Sequence, residues 1–219
     1  MRLLPLLLLA ALAFPAAAAE GPASNPLHRL PVYAGDEAGG AFERGGSGTP
    51  IGPTRVATVQ HVARKGFLLL HSYFYPPKPP GQIEVAGWPA EQLSFSTTDE
   101  EAVVLSIREP LASWLGTARA TTGTAWVLLG DSVEEILIEN LETQFFSGWG
   151  PVPGVSGSAV VQRRGADWVV VGVVRARFCH LCPACLALQR AGSGWSCHCE
   201  SGAYSRIPEG WVGAVGSRP

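Results

Sequence analysis

The sequence has no cysteine before Cys179, little net charge and few long apolar runs. Its 219 residues carry a formal charge of −2 at pH 7, so no excess of positive charge points to nucleic acid or an anionic membrane as a partner. After the first residues, no apolar run is long enough to cross a bilayer. No stretch keeps a helical period except a short turn at residues 111–115, and no internal repeat is evident. These absences argue against a nucleic-acid-binding protein, an integral membrane protein and a helical bundle.

Residues 1–19 have the pattern of a signal peptide. Arg2 precedes an apolar run that ends in Ala16-Ala-Ala-Ala19, an A-x-A site with cleavage expected after Ala19. We therefore expect a mature chain that is exported, either secreted or periplasmic, with no membrane contact after cleavage. We also expect it to be a monomer.

The remaining chain is read as one all-β domain preceded by an entry segment. Residues 20–49 are rich in Gly, Ala, Pro and Ser, which predicts a loosely ordered segment. From about residue 50 onward, short β-type runs such as Arg55-Val-Ala-Thr-Val59 are broken by Gly, Pro and Asp. Many short strands at close spacing predict a barrel or a sandwich over residues 50–219. A softer boundary near residues 113–122 divides the strands into two sets.

The stretch Gly154-Val-Ser-Gly-Ser158 is the strongest candidate for chemistry. Glycines flank Ser156, so the backbone can turn tightly and leave its hydroxyl accessible before a β-hairpin. A serine in such a bend suits a nucleophile whose neighbouring N–H groups stabilise an oxyanion. The alternative is an ordinary Gly/Ser turn between strands.

A histidine and two acids upstream favour the catalytic interpretation. His61 ends a β-type run, and its side chain is the usual base for a serine hydroxyl because its pKa lies near neutrality. Asp99 and Glu101 precede the apolar run 102–107, where a carboxylate would orient an imidazole. Alternatively, the histidine is structural and the acids mark a solvated strand start. The order histidine, acid, serine is more informative than any one of them.

In these motifs the chain resembles the trypsin- and chymotrypsin-like serine peptidases. Thr58-Val-Gln-His61-Val resembles their Thr-Ala-Ala-His-Cys. Gly154-Val-Ser-Gly-Ser-Ala159 resembles their Gly-Asp-Ser-Gly-Gly-Pro, in a Ser-Gly-Ser form known from bacterial glutamyl-specific members. Residues 101–111 resemble their acid-bearing strand, and Trp168–Val174 and Gly202–Ile207 resemble their two pocket strands. The motifs keep the family's order over most of the mature chain.

The resemblance implies two six-stranded antiparallel Greek-key barrels, over about residues 50–115 and 120–219, with the active site in the cleft between them. Ser156 would be the nucleophile, His61 the general base and Glu101 the orienting acid, with Asp99 as the alternative acid. The backbone N–H groups of Gly154 and Ser156 would form the oxyanion hole. The expected function is a serine endopeptidase that hydrolyses protein or peptide substrates without a metal or cofactor.

Several positions depart from the family's pattern. Glu101 stands where the family has aspartate. Val155 replaces the aspartate that receives the new N-terminus of the animal enzymes after zymogen cleavage, so that activation route is excluded. Val62 replaces a cysteine, which removes one family disulfide. The alternative function is therefore a catalytically inactive relative that acts as a binding module.

The residues of the specificity pocket are read by the same alignment. Gly150 falls at the pocket floor, where trypsin has an acid, and this argues against selection of Lys or Arg. Arg175 and Arg177 fall on the pocket wall, where cations would favour an acidic residue before the cut. Alternatively, these arginines are solvated or block the pocket.

All five cysteines lie in an insert at residues 179–199, between the two pocket strands: Cys179, Cys182, Cys185, Cys197 and Cys199. The oxidising compartment expected for an exported chain favours disulfides. Cys-x-x-Cys with neighbouring histidines is also typical of tetrahedral zinc. A zinc-binding β-domain whose serine motif is coincidental is therefore a third alternative.

Overall fold

The structure is a computed structural model that describes residues 21–34, 43–63, 82–94, 102–151, 154–178 and 201–213. The predicted signal peptide, Asp99, Glu101, the five cysteines and the side chain of Arg177 lie outside the described part of the chain. Within that part, no helix combines the length and the apolar character that a membrane span requires.

Six antiparallel strands form the first barrel: β1 (Leu30–Ala34), β2 (Glu43–Gly52), β3 (Arg55–Thr58), β4 (Ile83–Val85), β5 (Trp88–Gln92) and β6 (Val103–Ile107). Their order is β1-β2-β3-β6-β5-β4, and the pairing of β1 with β4 closes the barrel. A short 3₁₀ helix, Pro26–His28, precedes it. The helical turn α1 (Gln60–Ala63) follows β3, so His61 lies in this turn and not at the strand end.

The second half of the chain repeats this topology. Its strands are β7 (Gly116–Thr117), β8 (Gly123–Leu128), β9 (Val133–Asn140), β10 (Phe145–Ser147), β11 (Ala159–Arg164), β12 (Asp167–Phe178) and β13 (Ser201–Arg206). Six of them form a ring in the order β11-β8-β9-β10-β13-β12, closed by β11 against β12, and β7 adds in parallel to β12. A 3₁₀ helix, Glu209–Trp211, follows. The prediction of an all-β fold with two six-stranded antiparallel barrels is confirmed.

The valine-rich strands of the second barrel bury both of their faces. Successive strand residues point to opposite sides of a sheet. Val127 of β8 and Val160 of β11 pack in the core of the second barrel, whereas their neighbours Leu128 and Val161 pack in a second cluster with Val56 of the first barrel. We call this second cluster the inter-barrel cluster. It explains why these strands are continuously apolar instead of alternating.

Residues 20–49 differ from the prediction of a loosely ordered segment. They contain β1 and most of β2, so the first barrel begins at Leu30 and not near residue 50. A Cβ on Gly48 would lie only 2.5 Å from Val56 Cγ1 and 2.9 Å from Val32 Cγ2. A composition typical of a linker thus belongs to a barrel strand, because the side chains of Val32 and Val56 leave no room for a side chain at position 48.

The segment 111–115 does not form the predicted helical turn. Its backbone donors bond elsewhere: the N–H of Leu111 donates to Pro53 O at 2.7 Å, and the N–H of Leu115 donates to Pro50 O at 3.2 Å. The segment that leads to the second barrel is therefore held in an irregular conformation by the end of β2 and the turn that follows it.

Candidate active site

The serine loop, residues 154–158, is a tight bend that enters β11. Gly154 has φ +88° and Gly157 has φ +86°, values that favour glycine. The N–H of Ser158 donates to Val155 O at 3.0 Å and closes the bend. Val155 is 5% exposed and packs in the core of the second barrel. The valine thus anchors the loop in apolar surroundings that would be costly for an unpaired aspartate.

The carbonyl groups of the serine loop bond to strand β2 of the other barrel. The N–H of Ser47 donates to Ser156 O at 2.7 Å, and its hydroxyl donates to Gly154 O at 3.3 Å. The hydroxyl of Thr49 donates to Gly157 O at 3.0 Å. Three carbonyls of the loop are therefore fixed by two residues of one strand.

Some N–H groups of the serine loop have a hydrogen-bond acceptor in the described part of the chain, and others do not. The N–H of Gly157 donates to Val174 O at 2.8 Å, and that of Ser158 closes the bend. Among the residues that the structure describes, the N–H groups of Gly154 and Ser156 have no acceptor. Two donors that flank one hydroxyl are what an oxyanion hole requires. In the part of the chain that the structure describes, the two donors predicted from the sequence thus have no competing acceptor.

Ser156 is half-buried, and its hydroxyl is only weakly engaged. Its Oγ donates to the carbonyl oxygen of Arg175 at 3.4 Å, which is long for a hydrogen bond between oxygens. The hydroxyl is therefore available to another acceptor or to a substrate.

Gly46 brings the helical turn of His61 up to the serine loop. A Cβ on Gly46 would lie 2.7 Å from Ser156 O and 2.7 Å from Val62 Cγ2. Only glycine therefore fits between the carbonyl oxygen of Ser156 and the side chain of Val62, the residue after His61. In the described part of the chain, no hydrogen bond joins the His61 ring to the Ser156 hydroxyl.

Burial and a neighbouring cation keep His61 neutral. Burial, the larger cause, and the positive charge of Arg175 together lower the pKa of His61 from its usual 6.5 to about 4. The imidazole is therefore unprotonated at pH 7 and able to accept a proton. Both causes also disfavour the imidazolium that forms once it has accepted one.

The other predicted site residues within the described part of the chain are Arg175, Arg177 and Gly150, all in the second half of the sequence. Arg175, expected on the pocket wall, lies beside the candidate catalytic pair, since its carbonyl bonds Ser156 and its charge acts on His61. Arg177 lies further along β12, opposite Gly202. Gly150 is half-buried in the segment before the serine loop.

Asp99 and Glu101 lie outside the described residues, as do the cysteines. The first described residue of that stretch is Ala102, whose N–H donates to Arg206 O of β13 at 2.8 Å. The start of β6 is thus fixed against the second barrel. The choice between the two acids stays a prediction, and so does the choice between disulfides and zinc.

Sequence reasoning missed Arg29, Ser47 and Thr49, which hold the serine loop. The alternation of Gly46 and Gly48 with Ser47 and Thr49 was the available signal, because small residues at every second position are typical of a strand approached closely by another chain segment. For Arg29 there was no signal, since its partner Gly154 is 125 residues away in sequence.

The fold is that of chymotrypsin-like proteases. The chain matches no protein-family model and no curated protein sequence. Its structure is similar to that of the protease Anisep from Arthrobacter nicotinovorans, with a TM-score of 0.55, 12% identity and coverage of 89% of this chain and 94% of that one. The murine norovirus NS6 protease, in an inactive form, matches over 75% of this chain and 90% of its own, with a TM-score of 0.42 and 18% identity. At 12% identity the likeness to Anisep establishes the fold, so the chemistry must be argued from this chain's own residues.

Proposed function

We propose that the protein is an exported serine endopeptidase. The observation that carries this proposal is the serine loop: its carbonyls are fixed on β2, while the N–H groups of Gly154 and Ser156 have no acceptor among the described residues. The hydroxyl of Ser156 is weakly bonded, and the neutral imidazole of His61 belongs to the helical turn that meets this loop across Gly46. This combination would provide a nucleophile, a base and an oxyanion hole where the two barrels meet.

In the proposed mechanism, Ser156 Oγ attacks the carbonyl carbon of the scissile peptide bond while His61 takes the hydroxyl proton. The carbonyl oxygen becomes an oxyanion that accepts hydrogen bonds from the N–H groups of Gly154 and Ser156. His61 then gives its proton to the leaving amine, and the C–N bond breaks. A water molecule, deprotonated by His61, attacks the acyl-enzyme, and return of the proton to Ser156 releases the carboxylic acid.

The mechanism needs an anion near His61. Burial and Arg175 hold the pKa of the imidazole at about 4, so the imidazolium intermediate is unfavourable without compensation. A carboxylate in contact with the ring would raise its pKa and fix its tautomer. We propose Glu101 for this role, with Asp99 as the alternative.

The remaining expectations belong to the same proposal. Residues 1–19 would be removed as a signal peptide, and the mature monomer would be secreted or periplasmic, with the five cysteines in disulfides or, alternatively, on zinc. Its substrates would be proteins or peptides, with no nucleic acid, membrane, metal or cofactor involved in the reaction. The Ser-Gly-Ser form and the arginines at 175 and 177 favour cleavage after acidic residues, as in glutamyl-specific enzymes.

The test is covalent labelling by a fluorophosphonate probe, which reacts with an activated serine. Wild-type protein should be labelled, and Ser156→Ala should abolish labelling. Ser158→Ala is the matched control: the Ser158 hydroxyl is buried with no hydrogen-bond partner among the described residues, so its loss should leave labelling intact. Labelling that persists in Ser156→Ala would contradict the proposed nucleophile.

The inactive binding module is the second candidate. It is favoured by the missing hydrogen bond between His61 and Ser156 in the described part of the chain, and by the cation that disfavours the imidazolium. A folded wild-type protein that is not labelled and cleaves no peptide would establish this alternative in place of the peptidase.

A further inference from the structure

Arg29 joins three separate segments of the chain through its guanidinium group. It follows the 3₁₀ helix Pro26–His28 and immediately precedes β1. Its Nε donates to Ser47 Oγ at 2.9 Å, its Nη1 to Leu129 O at 3.0 Å and its Nη2 to Gly154 O at 3.0 Å. One side chain thus connects β2, the turn after β8 and the serine loop.

Hydrogen bonds, and not packing, hold the peptide group of Gly154. Among the described residues, nothing lies within 4 Å of the place where a Cβ would stand on Gly154, and the φ of this residue is +88°. Its carbonyl oxygen accepts two hydrogen bonds, from Arg29 Nη2 at 3.0 Å and from Ser47 Oγ at 3.3 Å. Ser47 is itself oriented by Arg29, because the same hydroxyl accepts from Arg29 Nε.

We propose that Arg29 is the positioning residue of the oxyanion hole, an inference that rests on the proposed peptidase function. The planar peptide between Gly154 and Val155 lies between the two peptide groups that carry the donors, so fixing its carbonyl restricts the backbone rotations that turn the N–H groups of Gly154 and Ser156. A charge-assisted hydrogen bond from guanidinium is about twice as strong as a neutral one.

The position of Arg29 gives the N-terminal segment a role at the active site. Val155 is an apolar residue 5% exposed, so it cannot receive a terminal amine as the aspartate of the animal enzymes does. The segment that precedes β1 nevertheless contacts the same loop, through the side chain of Arg29 and not through a terminal amine. The ordering of the loop would then depend on Arg29 and would not require cleavage of a precursor.

Arg29→Met tests the inference, because it removes the guanidinium and keeps an unbranched stem beside Gly130. A Cβ placed on Gly130 would lie 3.7 and 3.8 Å from Cβ and Cδ of Arg29. Loss of an oxyanion donor costs about 10²–10³-fold in kcat. A donor that is only misdirected should cost less, so we expect kcat and the labelling rate to fall about tenfold, with KM within about twofold. Arg29→Lys should recover part of the loss, because a lysine retains the charge but cannot span three acceptors.

The matched control is Arg119→Met. Arg119 also forms an ion pair, with Glu209 at 2.7 Å. Both side chains are largely exposed, at 75% and 69%, and this pair does not involve the serine loop. This variant should retain wild-type kcat. Thermal unfolding of each variant separates a loop effect from loss of the fold.

The outcomes distinguish the inference from the function on which it rests. Reactive wild-type protein with Arg29→Met of unchanged kcat would overturn the inference alone. Wild-type protein that does not react would overturn both. If Arg29→Met does not fold, Ser47→Ala decides: a folded variant with reduced kcat supports the inference, and an unchanged kcat overturns it. If neither variant folds, these bonds hold the domain and do not tune the loop, which also overturns it.

Discussion

At the scale of single residues, His61 has surroundings that both suit and hinder a general base. Its neutral form is favoured by burial and by Arg175, and a neutral imidazole is what accepts the serine proton. The charged form that follows is disfavoured by the same two causes. Activity should therefore be lost as the pH falls through the pKa of His61, since below that value the imidazole already carries a proton.

Arg175→Gln should raise the pKa of His61 above about 4 but leave it below 6.5, because burial, the larger cause, remains. The bond from Ser156 goes to the backbone carbonyl of Arg175, so the substitution leaves that acceptor in place. The acid limb of the kcat/KM profile should move to higher pH by the same amount. Titration of the imidazole by NMR measures the shift directly, with the exposed Arg163→Gln as control. An unchanged pKa would contradict the assigned role of the charge.

At the scale of elements, β2 and the serine loop form one unit across the two barrels. A Cβ on Gly157 would stand 1.7 Å from Ser47 O, so this glycine allows the loop to contact the strand. The position of a Cβ is set by the backbone, and Ser47 O is a backbone atom. No side-chain rotation can therefore relieve the clash.

Gly157→Ala should therefore destabilise the protein by about 2 kcal/mol or more and abolish labelling of Ser156. Gly165→Ala is the control, since Gly165 also has a positive φ, +62°, but no described residue comes within 4 Å of its Cβ position. The control should cost only about 1 kcal/mol and retain labelling. Urea unfolding of both variants gives the comparison, and equal losses would show that φ alone, and not contact with β2, sets the cost.

The sequence predicts some of these elements far better than others. Strands rich in valine, such as β6 and β12, are evident because both of their faces are buried. β2 is not evident, because its Gly and Ser content is typical of linkers, whereas its strand conformation comes from pairing with β1 and β3. β5 contains Pro89 and is mostly exposed, so no apolar pattern marks it.

The residues of the candidate site also differ in how well the sequence predicts them. Ser156 and His61 are predicted because their chemistry requires local motifs that can be read directly. The bonds that orient the loop, from Arg29 and Ser47, depend on contacts between residues 125 and 107 positions apart, which no local pattern specifies.

At the scale of the whole molecule, the inter-barrel cluster makes the two barrels one folding unit. Leu128 is 2% exposed in this cluster and belongs to the second barrel, while Val56 and Leu105 of the first barrel are fully buried in it. Unfolding either barrel would expose the apolar surface of the other. A single cooperative transition is therefore expected.

Leu128→Ala should lower the free energy of unfolding by about 2–5 kcal/mol within one transition. Leu137→Ala is the matched control: this leucine is 45% exposed on β9, and its loss should change the stability by less than about 0.5 kcal/mol. Denaturant unfolding followed by tryptophan fluorescence and by far-UV circular dichroism provides the measurement. Two separated transitions would show that the barrels unfold independently.

The early start of the first barrel has a practical consequence for heterologous expression. A recombinant polypeptide that began at residue 50, where the composition changes, would lack β1 and most of β2. The edge of β4 that pairs with β1 would then be unpaired and prone to intermolecular association, so the product should accumulate in inclusion bodies. Plasmids for this protein should instead encode the chain from residue 20, directly after the predicted cleavage site.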